Sequence, residues 1–289
     1  MGEDRELEAA IAALAAGQER PYYDEAADEG LRGAYYERVE AGGGGEALRL
    51  ALAGLVGESH VPRPPYKPAL LVYPWVDLHP DRQLRSVYSG RAFAAQELIE
   101  ADLRIEAQRT ARLQALVARE SAVGPRELEA EFDALEAELP FNCEHVVPQS
   151  WFSKDEPMRG DLHHLFACES GCNSFRGNTP YGDFPDFMEV VREACGKREE
   201  ERFEPASGKG PVARAVFYFL LRYPQTLRAA PDTLDQERLG VLLGWHEAEP
   251  VSEYERHRNA AIAEIQGNRN PLIDYPEWAG KVSFAATLG

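Results

Sequence analysis

Residues 142–178 crowd metal-binding and proton-transferring side chains into one short segment, NCEHVVPQSWFSKDEPMRGDLHHLFACESGCNSFRGN. This segment holds three of the seven histidines and three of the four cysteines in a chain of 289 residues. Groups of this kind act together only when their relative positions are fixed, so the surrounding chain must form a rigid support for them. We therefore expect the chemical site here and expect the other elements to hold this segment in place.

The charge balance restricts which partners the chain can attract. Asp and Glu number 49 against 31 Lys and Arg, which gives a formal net charge of −18. Acidic side chains also outnumber basic ones between residues 142 and 200, so no broad basic patch is visible. This balance disfavours non-specific attraction to nucleic acid or anionic membranes. No apolar run approaches the ~18 residues that a membrane span needs, so we expect no membrane partner.

The first residues, MGEDRELEAAIAALAAGQ, predict a surface helix. Glu3, Asp4, Glu6 and Glu8 occupy the region where a secretory signal carries basic residues, and the apolar run is short and rich in alanine. We therefore expect a cytoplasmic protein. A secreted or periplasmic location is the alternative if a signal has been removed.

Beyond residues 142–178 the pattern is mostly helical. Two stretches rich in strand-forming residues, 69–78 and 82–90, are predicted to be extended, and residues 186–200 are predicted to be helical. No internal repeat and no clean linker divides the chain. The sequence thus predicts an α+β fold with a mostly helical body, organised as one domain over residues 1–289.

Residues 92–140 change character, since they consist almost entirely of good helix formers. Gly124 and Pro125 interrupt them, and the second half places Leu128, Phe132, Leu135 and Leu139 at 4-3-4 spacing. This pattern predicts a helical hairpin with one apolar seam. The hairpin is either an arm packed on the body or a device for binding a protein partner or a second copy of the chain.

Two groups within residues 142–178 could carry chemistry. In the Glu144-His145 pair, a carboxylate can hold a hard cation while a neutral imidazole takes a proton from water. Asn173 and Arg176 lie three residues apart on one face of a predicted helix, where an amide oxygen suits Mg²⁺ and a guanidinium suits phosphate. The alternatives are a structural Glu-His dipeptide, an Asn cap and a surface arginine.

The next pair of histidines, in Asp161-Leu162-His163-His164, favours a structural role. One histidine of such a pair is commonly buried and hydrogen-bonded. We expect His163 to be that residue, with Asp161 as its partner, and we assign no chemistry to His164.

Several separated motifs, taken in order, resemble the endonuclease I family. They are EHVVPQSWF, PMRGDLHHLF, RGNTPYGDF and the closing WHEAEPVSEYERHRNAAIAEIQGNRNPLIDYPE over residues 245–277. An earlier stretch with GEALRLALAGLVGESH and VYSGR is similar as well, so the resemblance covers roughly residues 20–91 and 141–278. It implies a metal-dependent nuclease with a ββα-metal (His-Me finger) core, here expected over residues 141–200, with residues 92–140 as an inserted hairpin.

The resemblance also implies roles for individual residues. His145 matches the general base that activates water, and Glu144 and Asn173 match the two protein ligands of one divalent cation, Mg²⁺ or Mn²⁺. The implied reaction is hydrolysis of DNA, with RNA as a second substrate, leaving 5′-phosphate ends with little sequence preference.

Basic and amide side chains around this set are the expected substrate contacts. Arg176 and Asn178 fall in the family's Arg-x-Asn step, which braces phosphate or the backbone of the site, and Arg176 is counted with the catalytic groups. Lys154 and Arg159 are the nearby candidates for phosphate contacts, although neither has a secure counterpart in the family.

The four cysteines depart from the family pattern. Cys143 directly precedes Glu144, Cys172 directly precedes Asn173, and Cys168 and Cys195 complete a set that could hold a structural zinc ion as four thiolates. Disulfides and free thiols are the other two interpretations, and the spacing does not choose among the three.

The hairpin and the acidic surface leave two other functions open. One is a nuclease-like binding module, and the other is a partner-controlled nuclease, such as a defence enzyme, restrained by residues 92–140. The intact Glu144, His145 and Asn173 set favours an enzyme over a binding module.

Overall fold

A computed structural model describes residues 2–39, 44–117, 130–131, 134–135, 138–188, 194–227 and 234–287. The helices of this part of the chain are α1 (Gly2–Glu19), α2 (Glu25–Tyr35), α3 (Gly45–Ser59), α4 (Pro68–Leu71), α5 (Ala95–Val117), α6 (Ser170–Arg176), α7 (Lys209–Arg222), α8 (Gln236–Ala248), α9 (Glu253–Gln266) and α10 (Pro271–Asp274). The paired strands are β1 (Leu84–Arg85) with β2 (Ala92–Phe93), β3 (Cys143–His145) with β4 (Leu165–Ala167), and β5 (Gly196–Glu199) with β6 (Arg202–Pro205). Each pair is antiparallel. The fold is α+β and mostly helical, which agrees with the sequence.

Helix α7 lies at the centre of the larger hydrophobic core. Every residue in 212–221 is buried, so this helix is covered on all its sides. Helices α3 and α8 pack against it, and Phe166 of β4 joins the same core. The apolar run VFYFLL dictates this central position, because leaving it in water would expose several large side chains.

A second core lies on the other side of the β3–β4 sheet. Val72, Tyr73 and Val76 meet Ile99 of α5 and Leu165 of β4 there. Successive side chains of a strand point to opposite faces, so Leu165 and Phe166 enter different cores. The short sheet is therefore clamped between two packed regions, and this fixes the backbone of residues 143–145.

The predictions of extended chain over 69–78 and 82–90 are largely wrong. Residues 69–78 are not a strand: α4 ends at Leu71 and a π-helical turn, Val72–Val76, follows. Residues 82–90 contain only the two-residue strand Leu84–Arg85. Strand propensity mainly reports that a residue fits a half-buried surface, and here the same aromatic and branched residues fill a helical turn inside the second core.

The predicted helix over 186–200 is wrong: residues 186–188 form a turn and Gly196–Glu199 form β5, while residues 189–193 lie outside the described part of the chain. Gly196 has φ of +129°, and a Cβ at this position would lie 2.1 Å from the carbonyl oxygen of Glu204. This close approach requires glycine, so the chain turns into a hairpin where the helix pattern would have continued.

The first arm of the predicted hairpin, α5, packs on the body. It begins at Ala95 and buries Leu98, Ile99 and Leu103 in the second core. The returning arm is described in part: the Nε of Arg109 donates to the carbonyl oxygen of Leu139 at 2.7 Å, and Arg112 pairs with Glu138. Of the seam, Leu135 is buried, whereas Leu128, Phe132 and the Gly124-Pro125 break lie outside the described residues. The boundary of the insertion stays a prediction.

No helix in the described ranges is both long and apolar enough to cross a membrane.

Asp161 holds together the turn that precedes β4. Its Oδ2 accepts hydrogen bonds from the hydroxyls of Tyr218 at 2.8 Å and Tyr223 at 2.9 Å, and its Oδ1 accepts one from Gln266 at 2.9 Å. Burial by itself raises the pKa of this carboxyl, but the nearby His60, other histidines and the hydrogen bonds outweigh it and lower the pKa to about 2. Asp161 is thus an ionised, fully paired anchor between the turn, α7 and α9.

Both histidines after Asp161 are buried. Asp161 accepts a bond from the backbone N–H of His163 at 3.1 Å, while the ring Nε2 of His163 lies 3.2 Å from the carbonyl oxygen of Asn268. His164 Nε2 lies 2.6 Å from the carbonyl oxygen of Met158. The expected structural role of His163 agrees with these contacts, although its ring bonds to a carbonyl and not to Asp161.

We predict that Asp161→Asn lowers the free energy of unfolding at pH 7 by about 2 kcal/mol, because one unit of pKa shift corresponds to ~1.4 kcal/mol. The folded pKa lies below the unfolded value of 3.8. The ionised Asp161 carboxylate therefore makes its full contribution to the free energy of unfolding above about pH 4, and this contribution is lost as the pH falls through about 2. Urea denaturation at pH 7 and at lower pH measures this difference.

Asp155→Asn is the matched control, since Asp155 is an exposed aspartate of the same connection. It should change the free energy of unfolding by less than about 0.5 kcal/mol. Equal losses in the two variants, or a difference that persists unchanged in acid, would contradict the anchoring role of Asp161.

Candidate active site

A cleft of about 550 Å³ opens at the end of the β3–β4 sheet, between this sheet, α6 and α5. Its walls bring together Glu144 and His145 from β3 with Asn173 and Arg176 from α6. These residues are up to 32 positions apart in the chain, and the antiparallel pairing of β3 with β4 folds them onto one another. The four residues that the sequence singled out as base, metal ligands and catalytic arginine therefore share one cleft.

Glu144 is only 2% exposed, and its paired register partner is Phe166. Its Oε1 accepts hydrogen bonds from the hydroxyl of Tyr88 at 2.7 Å and from Nη1 of Arg176 at 2.8 Å. Burial raises the pKa of this carboxyl to about 7, because the opposing effects of Arg176 and Tyr88 do not cancel the loss of solvent. Both bonds reach Oε1, so Oε2 has no hydrogen-bond partner within the described residues.

His145 is 6% exposed, and its Nε2 lies 2.9 Å from the backbone carbonyl oxygen of Arg159. A carbonyl oxygen only accepts, so Nε2 carries the proton and Nδ1 has the lone pair. Burial, together with His164 nearby, lowers the pKa of His145 well below its usual value. The ring is therefore neutral and is held in the tautomer that can accept a proton at Nδ1.

Asn173 lies in the middle of α6 and is fixed through its amide nitrogen. Nδ2 donates to the carbonyl oxygens of Cys143 at 3.0 Å and Phe141 at 3.4 Å. These two bonds use both amide hydrogens, so Oδ1 is left as an acceptor without a partner in the described ranges.

Three acceptor atoms thus have no hydrogen-bond donor in the described part of the chain: Oε2 of Glu144, Nδ1 of His145 and Oδ1 of Asn173. All three residues line the cleft. A carboxylate oxygen and a neutral amide oxygen are donors that suit a hard divalent cation with several waters. The arrangement can hold such a cation and orient a water molecule toward the histidine.

Arg176 lies in the wall of the cleft and is 1% exposed. Besides Glu144, its guanidinium donates to the carbonyl oxygens of His145 at 3.2 Å, Val146 at 3.1 Å and Thr179 at 3.1 Å. Burial acts to lower the pKa of Arg176, but Tyr181, Tyr88 and Glu144 outweigh this effect and raise the pKa above its usual value. The guanidinium is therefore always charged. These contacts use the guanidinium N–H groups that the sequence analysis expected to bind phosphate. Arg176 is therefore better suited to holding the backbone of the site in place.

The other expected substrate contacts are dispersed around the rim. Lys154 and Asn178 line the cleft. The side chain of Arg159 donates to Oε1 of Gln149 at 3.0 Å, and its guanidinium carbon lies 5.3 Å from the centre of the Tyr66 ring; both of these partners line the cleft. The carbonyl oxygen of Arg159 orients His145. Arg159 therefore contacts residues of the site through both its side chain and its backbone.

Sequence reasoning missed four residues of the site. Tyr88, which bonds Glu144, lies in the VYSGR stretch of the resemblance, so a signal for it was present. Arg109, Tyr66 and Phe141 also line the cleft. No sequence signal pointed to Arg109 or Tyr66, because α5 and the segment before α4 reach the cleft only through tertiary packing. Phe141 is the first residue of the predicted core over 141–200, but it was assigned no role.

The four-thiolate zinc site considered from the sequence is wrong. Cys172 and Cys195 form a disulfide with 5.3 Å between their Cα atoms, so neither offers a thiolate. Cys143 and Cys168 are separate free thiols, which enter different hydrophobic cores. Burial raises the pKa of both thiols well above the usual value. The four cysteines thus do not share one state: two form a disulfide and two are free thiols. The disulfide links α6 to the residue before β5.

A buried carboxylate, a neutral histidine and an amide oxygen around one cleft are typical of proteins that hold a single hard divalent cation. The Endonuclease I family model matches residues 127–277, just over half of the chain, and the chain belongs to this family.

Two named relatives match less than half of the chain. The chain is 35% identical over 158 residues to the extracellular ribonuclease of Bacillus subtilis (strain 168), covering 49% of this chain and 54% of that protein. It is 30% identical over 122 residues to the periplasmic deoxyribonuclease of Aeromonas hydrophila, covering 40% of this chain and 48% of that protein. The chain thus spans about half the length of the relatives it matches.

We predict that Arg176→Met lowers the free energy of unfolding by about 3–5 kcal/mol, because Glu144 would remain buried without its counter-charge. Chemical denaturation at neutral pH measures the loss. Arg198→Met is the matched control: its Nη1 also donates to a carbonyl oxygen of α6, that of Phe175, but the residue is exposed. A loss in the Arg198 variant as large as that in the Arg176 variant would contradict the importance of burial.

We predict that thiol titration of the denatured protein gives two free thiols without reductant and four after reduction, because only Cys172 and Cys195 are bonded to each other. In the native protein the two buried thiols should react slowly, since reaction requires a thiolate that burial disfavours. Four reactive thiols in the unreduced, denatured protein would contradict the disulfide.

Proposed function

We propose that this protein is a metal-dependent endonuclease that hydrolyses phosphodiester bonds of DNA, and of RNA as a second substrate. The observation that carries the proposal is that Glu144, His145 and Asn173 line one cleft and that each has an acceptor atom with no donor in the described part of the chain. The membership of the Endonuclease I family supports it, as do the names of the ribonuclease and deoxyribonuclease relatives.

Glu144 and Asn173 are the residues that would hold the cation, through Oε2 and Oδ1. The donor set fits Mg²⁺ or Mn²⁺, because both donors are oxygens and neither is committed to another hydrogen bond. When bound there, a divalent cation supplies positive charge against the scissile phosphate and the leaving oxygen. The strands β3 and β4 with α6 are then the two strands and the helix of a ββα-metal core.

His145 acts as the general base in this proposal. Its Nδ1 takes a proton from a water molecule as the water oxygen forms a bond to phosphorus and the bond from phosphorus to the 3′ oxygen breaks. The Arg159 carbonyl keeps the other ring nitrogen protonated, and burial keeps the ring neutral and ready to accept. The phosphate stays on the 5′ side of the following nucleotide, which leaves 5′-phosphate ends.

Selectivity among sequences should be low. Lys154 and Asn178 on the rim can reach phosphate oxygens, which carry no sequence information. The contacts of Arg176 make it a positioning residue, since it fixes Glu144 and the backbone on both sides of His145.

Two observations favour a secreted or periplasmic location over the cytoplasm. A disulfide beside the catalytic helix is typical of proteins that mature in an oxidising compartment. The named relatives are extracellular or periplasmic enzymes. A protein partner or self-association through residues 92–140, and with it control of the nuclease by a partner, stays a hypothesis.

We predict that the protein nicks or linearises supercoiled plasmid in Mg²⁺ or Mn²⁺ and not in EDTA. His145→Ala should lower the rate by at least about 10²-fold, because it removes the proton acceptor. His79→Ala is the control, since His79 stacks on Tyr254 outside the cleft and should leave the rate within about twofold. Cutting by His145→Ala at the wild-type rate would contradict its role.

We predict that Asn173→Ala raises the Mg²⁺ concentration needed for half-maximal cutting by about 10–100-fold, because it removes a proposed metal ligand. Asn173→Asp keeps an oxygen donor at the same position and should require far less additional Mg²⁺. Metal titrations of the plasmid rate for the three proteins give this comparison, and identical curves for the two variants would argue against ligation by Asn173.

A further inference from the structure

An aromatic wall lies directly beside the unpartnered acceptors. The rings of Tyr66 and Phe141 line the same cleft as His145 and meet edge to face, with centroids 5.6 Å apart. The centroid of Tyr66 lies 4.7 Å from that of His145. Both aromatic residues are partly exposed. The polar part of the cleft therefore adjoins an apolar surface of the kind on which a flat ring can stack.

Helix α5 extends this wall with a cation. The guanidinium carbon of Arg109 lies 4.1 Å from the centre of the Phe141 ring, and Nε of Arg109 is anchored on the carbonyl oxygen of Leu139. Arg109 lines the cleft as well. Nucleobases stack both on aromatic rings and on guanidinium planes, so this layer offers two of the surfaces that unpaired bases use.

The charge of the protein argues against a duplex as the preferred ligand. Proteins that bind along a duplex gain affinity from many contacts between basic side chains and phosphates. This chain has a net charge of −18, so few such contacts are available to it. Among the cations that line the cleft, Arg176 is committed to Glu144 and to backbone carbonyls. Stacking next to the scissile phosphate supplies affinity without a long basic groove.

The burial of the catalytic residues also favours a single-stranded substrate. Glu144 and His145 are 2% and 6% exposed, so the reacting phosphate must enter the cleft. A base within a duplex has both faces covered by its neighbours and cannot lay one face against the wall. A base of a single strand can turn out of the stack at little cost.

We propose that Arg109, Phe141 and Tyr66 form a subsite for the unpaired base next to the scissile phosphate, and that single-stranded nucleic acid is the preferred substrate. This inference rests on the proposed nuclease activity of the same cleft. It also gives residues 92–140 a part in substrate binding, since α5 supplies Arg109.

The chain offers a matched pair of variants. Phe141→Leu removes the aromatic face but leaves the backbone carbonyl that Asn173 uses. Phe93→Leu is the control, because Phe93 is also partly buried on the second core and also has an arginine over its ring, Arg91 at 5.0 Å, but lies outside the cleft.

With Mg²⁺, Phe141→Leu should lower kcat/KM on a single-stranded oligonucleotide about tenfold and change cutting of the same sequence as a duplex by less than about twofold. Phe141→Tyr, which keeps a ring, should retain the wild-type rate, and Phe93→Leu should change neither substrate. Equal losses on single-stranded and duplex substrates, or no loss on either, would overturn the subsite.

Two measurements with the wild-type protein keep the test independent of whether the variants fold. Removing one base from the oligonucleotide should lower cutting at the adjoining phosphate about tenfold, and unchanged cutting there would overturn the subsite. Fluorescence anisotropy in EDTA should show tighter binding of the single strand than of the duplex, and the reverse order would overturn it. If no nucleic acid is cut with any metal while the single strand still binds more tightly, the proposed nuclease activity fails and the subsite stands.

Discussion

The buried ion pair between Glu144 and Arg176 is the interaction on which the site depends. Removing two charges from water is costly, and it is tolerated only where each charge finds its partner and its hydrogen bonds. Here the guanidinium also binds three backbone carbonyls, so the same charge that neutralises Glu144 fixes the turn after β3 to the end of α6. Because Arg176 and Tyr88 both bind Oε1 of Glu144, Oε2 has no donor among the described residues. Stability and chemistry are therefore coupled through a single side chain.

The rest of the fold keeps this ion pair in place. Two hydrophobic cores clamp the β3–β4 sheet from opposite sides, and the disulfide of Cys172 ties α6 to the following hairpin. Helix α5 takes part as well: Asp102 accepts hydrogen bonds from the hydroxyl of Tyr73 and from the backbone and side chain of Asn142, directly before β3. The predicted insertion is thus connected to the support of the site, and α5 also brings Arg109 into the cleft.

Local sequence patterns predicted the parts of the fold that depend on local forces. The helices α1 and α5 were predictable because helix propensity and apolar spacing act within one or two turns of the chain. Residues 69–78 were wrongly predicted to be extended, because their side chains suit a strand as well as a buried helical turn. The residues that pack around them in the folded protein decide between the two. The start of β5 misled because the constraint on Gly196 comes from a strand that follows it in the chain.

The sequence by itself determined the α+β class, the long helices and the grouping of Glu144, His145, Asn173 and Arg176, because residue types and motif order carry that information. Only the tertiary structure decided which atom of each group is open, since the carbonyl of Arg159 selects the tautomer of His145 and two carbonyls orient Asn173. It also decided that two cysteines pair while two remain thiols, and that an aromatic wall adjoins the base. These features depend on distances between residues far apart in the chain, which packing sets and no local pattern records.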